Sequence, residues 1–315
     1  MRNLVASIAV GIVVVALTGV SPVLAKKVDR HFHQSFDVQE GAKLVLHHGD
    51  GEVSISPWEK NSIDVEVVYR ASIKKAGAGS VREFEVEFEQ SGDTVRVVGR
   101  EPSVSVFRGL SYHWEREYSY TVRAPRWVAL ELDGQDGDVS IREWGADITL
   151  ETSDGDVEID GLLGDFEIRS QDGEIRIRDC ETTRGSIRTS DGDVTLERCE
   201  GSLQLEASDG GLTLSRIRGD RLDLRTSDGD VELDLMASEA LDLTIRSGDG
   251  DVAVDLDPDL SVAFTIQTGD GDVRMSGIEV AGLRKERRHT SGRIRDGRGS
   301  MKISTSDGDV VLRQN

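Results

Sequence analysis

The sequence predicts an all-β protein whose main body is a parallel β-solenoid, with two strands in each coil of about 18–21 residues and a strand-rich region ahead of the array. Two observations carry the prediction. A small-Asp-Gly-acid-aliphatic signature starts at Asp136, Asp154, Asp172, Asp191, Asp209, Asp228, Asp249, Asp270 and Asp307, in steps of 18, 18, 19, 18, 19, 21, 21 and 37 residues. Each signature then opens a short run with aliphatic residues two apart, as in Val157/Ile159, Ile175/Ile177 and Val194/Leu196. Side chains two apart in a strand share one face, so these pairs define an interior and the residues between them meet water. Right-handed coiling is the default for parallel crossovers.

Residues 1–25 read as a secretory signal peptide. Arg2 precedes an apolar run from Leu4 to Val20, and Ser21-Pro22-Val23-Leu24-Ala25 offers small residues for cleavage after Ala25. No second run of membrane length follows, so no transmembrane span is expected once the leader is removed. The location expected is exported: periplasmic, cell-surface or extracellular. Loss of Arg2 takes the net charge from −21 to −22. That balance disfavours nucleic acid and anionic membrane as partners and favours cations.

Residues 26–132 alternate apolar and polar over successive strands, and Gly, Pro or Asp clusters separate them. His48-Gly49-Asp50-Gly51-Glu52-Val53-Ser54-Ile55 already carries the signature, so 48–55 is expected to form an early coil, with the array proper at 133–315. Phe107, Tyr112, Trp114, Tyr118 and Tyr120 concentrate rings just before the array. They are candidates for stacking on a sugar or receiving a partner; packing at the junction is the alternative. His31, His33, His47 and His48 offer a conceivable metal cluster if a hairpin gathers them.

Within the array the corner Asp-Gly is expected to supply a positive φ and local hydrogen bonds. Stacking puts equivalent acids about 4.8 Å apart, where two charges repel by roughly 0.9 kcal/mol even in water. Local hydrogen bonds, interleaved Arg or bound cations must relieve this. Calcium is the cofactor that the Asp-Gly-Asp corner suggests, with Asp154, Asp156, Asp191, Asp193, Asp228, Asp230, Asp249, Asp251, Asp270 and Asp272 as ligands; otherwise none is expected. Cys180 and Cys199 lie eight residues after their own corner Asp, hence beside each other in consecutive coils, where a disulfide is favoured over two reduced thiols. The 37-residue last step holds a basic insertion that includes Arg284, Lys285, Arg287, Arg288, Arg293, Arg295 and Arg298, expected as a solvated loop near the C-terminal cap, with gripping a polyanion or covering the Asp column as the alternatives.

No nucleophile elbow, P-loop, dinucleotide fingerprint, HExxH or CxxC occurs. Acidic pairs on a solenoid face could serve a polysaccharide lyase or hydrolase, but here the acids recur in every coil, which reads as turn grammar. Ala124-Pro125 leading to Val128-Ala129-Leu130-Glu131-Leu132, the Ser-Asp-Gly-Asp-Val repeats and the closing Ser304-Thr305-Ser306-Asp307-Gly308-Asp309-Val310 resemble a bacterial exported β-strand-repeat family. That family is a domain of unknown function labelled "putative adhesin". The resemblance implies non-enzymatic binding or scaffolding in the cell envelope, with envelope proteins or glycans as partners. It offers no catalytic residue to carry over. A calcium-binding module and a polysaccharide-active enzyme are the alternatives.

Overall fold

The computed structural model describes residues 26–73, 84–101 and 114–314, which contain strands and turns and no helix. Ahead of the array lie β1 (Lys26–Asp37), β2 (Lys43–Gly49), β3 (Glu52–Pro57), β4 (Ser62–Ile73), β5 (Glu85–Ser91), β6 (Thr94–Arg100) and β7 (Trp114–Ala124). The coils begin with β8 (Ala129–Gly134), β9 (Val139–Trp144), β10 (Ile148–Glu151), β11 (Val157–Leu163), β12 (Phe166–Arg169), β13 (Ile175–Arg188) and β14 (Val194–Glu206). They continue as β15 (Leu212–Ile217), β16 (Arg221–Arg225), β17 (Val231–Leu235), β18 (Asp242–Arg246), β19 (Val252–Leu256), β20 (Val262–Thr268) and β21 (Val273–Ser276). The chain closes with β22 (Val280–Glu286), β23 (His289–Ile294), β24 (Gly299–Thr305) and β25 (Val310–Gln314).

The strands make two faces around one aliphatic interior. Face A runs β5-β6-β2-β8-β10-β12-β13-β14-β16-β18-β24-β20-β23-β22, and face B runs β1-β4-β7-β3-β9-β11-β13-β14-β15-β17-β19-β25-β21. The long strands β13 and β14 cross from one face to the other. Neighbours from β6 to β20 and from β7 to β21 are parallel; β5, β1, β4, β22 and β23 add antiparallel edges. Equivalent residues stack in register, as Val139, Val157, Ile175 and Val194 do. All four are buried, as the alternation requires. The strands of 26–132 extend these same two faces. The early coil β2–β3 lies directly on β8–β9, with Leu44 opposite Leu130 and Val53 opposite Val139.

Spatial order departs from chain order at both ends. The last coil, β24–β25, does not sit beyond β20–β21 but between it and β18–β19. Val310 pairs with Val252 on one side and Val273 on the other, and Ile303 pairs with Ile245 and Ile266. At the other end β2–β3 is likewise held between β8–β9 and the strands β6 and β7. The basic insertion is therefore a β-hairpin, β22–β23, rather than a loop. It runs antiparallel to β20 and lets the chain turn back into the stack.

The corners show why the coils stay in register. None of the Asp-Gly corner glycines of the array has a positive φ, contrary to the expectation from turn chemistry. What they need is room. A Cβ on Gly155, Gly173, Gly192, Gly210, Gly229, Gly250, Gly308 or Gly271 would lie 2.0–2.2 Å from the carbonyl oxygen of the stacked corner glycine. Left-handed backbone occurs instead at the second turn, at Glu143, Gly161, Asp179, Arg198 and Arg216. At seven of the array's nine corners the residue two before the Asp is a buried Thr or Ser, and the hydroxyls of Thr152, Ser170, Thr189, Thr226 and Thr305 bond to the adjoining coil. Thr189 Oγ1 donates to the Gln171 carbonyl at 3.1 Å and accepts from Gly192 N–H at 3.2 Å. Thr226 and Thr305 repeat both bonds.

Adjacent glycines supply a test. Gly210→Ala places a methyl against the Gly192 carbonyl at 2.1 Å and is expected to cost about 2–3 kcal/mol in urea unfolding. At Gly211→Ala the nearest atom is 3.5 Å away, and the change is expected to stay within about 0.5 kcal/mol. Equal effects at the two positions would remove the close-approach explanation.

Candidate functional site

The acidic columns are spent on joining coils. Asp138 Oδ1 accepts the Asp156 N–H at 3.0 Å, and Asp156 Oδ1 accepts the Glu174 N–H at 2.8 Å. Asp193 accepts from Gly211, Asp230 from Asp251, Asp251 from Asp309 and Asp309 from Asp272, each at 2.8 Å. This column thus follows spatial order through the inserted coil. A charge-assisted hydrogen bond to the next backbone offsets the repulsion between stacked carboxylates. Arginines help: Arg274 reaches Asp309 at 2.9 Å, and Arg176 pairs with Glu174. Asp154, Asp191, Asp228, Asp249 and Asp270 form the outer, exposed column. Among the described residues no group of three or more His, Cys, Asp or Glu is gathered to hold a metal ion.

Cys180 and Cys199 do face each other in adjacent coils, as the spacing predicts, but both are free thiols rather than a disulfide. In-register parallel neighbours project side by side, leaving Cβ atoms about a strand spacing apart, roughly 4.8 Å, wider than the about 3.5–4.5 Å a disulfide spans. The two occupy an apolar column with Trp144 and Leu162, where they act as small hydrophobes. A hydrogen bond to Cys199, then burial, pushes the Cys180 thiol up, away from the reactive thiolate.

Of the candidate ring surface, Phe107, Tyr112 and the Trp114 side chain lie outside the described residues. Tyr118 and Tyr120 are interior rings, not an exposed platform. They stand on the inward side of β7, where Tyr118 stacks on Tyr69 at 5.1 Å and packs against Phe84 at 4.9 Å. Burial pushes the Tyr118 hydroxyl up to about 12. The histidines are dispersed among separate carboxylates: His31 lies beside Asp29, His33 beside Asp64, and His47 beside Asp133.

One arrangement breaks the repeat grammar, and it sits at the corner between β2 and β3. Here His48 replaces the usual corner hydroxyl, on a bulge between His47 and Gly49. Its imidazole fills the space beside Gly134, where a Cβ would lie 2.1 Å from Cε1. His48 Nδ1–H donates to the Gly51 carbonyl at 2.8 Å, while Nε2 and the nearby Tyr120 hydroxyl are buried without partners. Glu101 Oε1 accepts the Asp50 N–H at 3.0 Å, and Arg116 lies 4.0 Å from its other oxygen. Burial, then the Glu101 charge, raises the Asp50 carboxyl. Burial lowers His48 below its ordinary 6.5. The only sequence signal for this cluster is the His-His-Gly-Asp-Gly spelling of the first corner; Glu101 and Tyr120 arrive from distant strands and are invisible locally.

Because the folded state disfavours charged His48, the unfolded chain binds more protons, and stability falls as pH drops through 6.5 toward the lower folded value. Asp50 acts with the opposite sign, at pH values nearer the carboxylate range. Between about pH 7.5 and 5.5 the wild-type Tm should therefore fall more than that of His48→Gln. Parallel curves for the two proteins would contradict this assignment.

Comparison with known proteins places the chain. No match occurs among curated proteins. A solved structure from Parabacteroides distasonis, described as a "putative adhesin", shares 8% identity, covering 91% of this chain and 97% of that one, with a TM-score of 0.41. Another of the same description, from Bacteroides fragilis, shares 11% identity over 91% and 97%, with a TM-score of 0.40. The Toastrack DUF4097 family model matches residues 41–313, nearly the whole described solenoid, and the chain belongs to that family.

Proposed function

We propose that this protein is an exported, non-enzymatic scaffold of the cell envelope that binds partners, in the manner of an adhesin, through its outer faces. The observation that carries the reading is how the chemistry-bearing side chains are used. The Asp, Thr and Ser of the repeat recur coil after coil and bond each coil to the next. The interior is filled by aliphatic rows, so what the molecule offers a partner is its surface. An open trough of about 580 Å³ on face B illustrates this. Ser54, Thr121, Ser140, Arg142, Glu158 and Arg176 are among the residues that line it. Hydroxyls between charges on a rigid, extended sheet suit polar partners such as envelope glycans or proteins. Export rests on the leader-like residues 1–25. Among the described residues no helix is long and apolar enough to cross a membrane.

The test is binding of residues 26–315 to isolated cell envelopes, with released reducing sugar measured in the same samples. Saturable binding without sugar release is expected. Absence of binding, or catalytic release of sugar, would overturn the proposal.

A further inference from the structure

The outer side of face A changes character at its C-terminal end. Register across β24, β20, β23 and β22 sets Lys302 opposite Thr265, Thr265 opposite Ser291, and Ser291 opposite Arg284. In the next row Ser300, Ala263 and Arg293 lie side by side. The alternate residues Met301, Phe264, Ile266, Thr290 and Ile294 are buried, so the named rows face outward. With strands about 4.8 Å apart, Lys302 and Arg284 stand roughly 14 Å from each other, and Arg293 lies between them one row away.

None of these three cations makes an ion pair among the described residues. Other basic groups of the same segment are engaged: Arg288 with Asp270 at 3.3 Å, Arg295 with Asp259 at 2.8 Å, and Lys285 with the Val273 carbonyl at 3.1 Å. Residues 280–298 hold seven Arg or Lys against two acids, in a chain of net charge −21. Lys302 joins the patch only because β24 is inserted between β18 and β20.

We infer that this patch binds an anionic polysaccharide, a sugar chain carrying sulfate or carboxylate groups at intervals. Three cations spread over about 14 Å match sparse anions along an extended chain. The hydroxyls of Thr265, Ser291 and Ser300 between them can bond sugar hydroxyls. A densely charged duplex would meet the repulsion of the acidic remainder of the molecule. No aromatic ring stands in these rows to enter a lipid surface. The inference gives the envelope scaffold a ligand class, and the two fail separately, since envelope binding can survive neutralisation of this patch.

The experiment is calorimetric titration of residues 26–315 with heparin and with polygalacturonate at low ionic strength. Wild type should bind both, weakening about tenfold or more as salt rises from about 50 to 200 mM. Lys302→Ser/Arg284→Ser/Arg293→Ser should lose about tenfold or more at low salt. Lys27→Ser, an exposed change on β1 of face B, should match wild type, and an unchanged Tm for both variants confirms folding. No binding by wild type, equal binding by the triple variant, or tighter binding of duplex DNA or phosphatidylglycerol vesicles through the same three side chains would overturn the inference. Self-association abolished by the triple variant without polysaccharide binding would also overturn it, in favour of a second copy.

Discussion

The structure depends on how closely one coil can approach the next at the Asp-Gly corner. A carbonyl oxygen sits where the neighbouring residue's Cβ would be, so only glycine fits. The backbone there packs against backbone with no side chain between. Close stacking at the corner sets the strand spacing for both faces. It also puts the buried hydroxyl and the second acid of most corners within reach of the adjoining coil's amides and carbonyls. One steric constraint therefore makes a hydrogen-bond ladder available. A coil alone has neither the burial nor these partners, so stability belongs to the stack.

A stack has two ends, and open ends expose strand edges and interior side chains. This protein deals with both by reordering the chain. The inserted coil β24–β25 has neighbours on each side, and the outermost coil is flanked by the antiparallel hairpin β22–β23. That hairpin carries a bulge between Ala281 and Arg284 and is lined with cations, two devices that discourage further strand addition. At the other end Phe32 meets Phe84 and Phe36 meets Phe88, closing the gap between faces A and B with rings. Apolar packing thus caps one end, and a charged hairpin caps the other.

Much of this architecture is legible in the chain because the repeat is a local rule. Val157, Ile175 and Val194 fall into register directly from the spacing of their corners, and so do Cys180 and Cys199. Acid repulsion is equally foreseeable; that Asp156 and Asp230 resolve it on the adjoining coil's amide requires the geometry. Three features resist sequence reading for identifiable reasons. The inserted coil has the same spelling as every other, so nothing in Ser306-Asp307-Gly308-Asp309 says which neighbours it takes. Tyr118 and Tyr120 alternate like any strand residues, and only the pairing of β7 with β4 and β3 shows which side is interior. Glycine at the corner suggested a turn conformation, whereas contact with another coil is what demands it. The patch of Lys302, Arg293 and Arg284 is hidden for the first of these reasons, since its members meet only through the insertion.

Native-state hydrogen exchange tests most directly whether each coil is held by its neighbours in space rather than by its place in the chain. The amides of Val252 and Ser306 bond across the inserted coil's inner side, to Asp309 at 2.9 Å and Gly248 at 2.8 Å, whereas that of Asp270 belongs to the outer coil. Stacking as described predicts that Val252 and Ser306 exchange only with global unfolding and that Asp270 exchanges sooner. Earlier loss of protection at Ser306 than at Asp270 would contradict it.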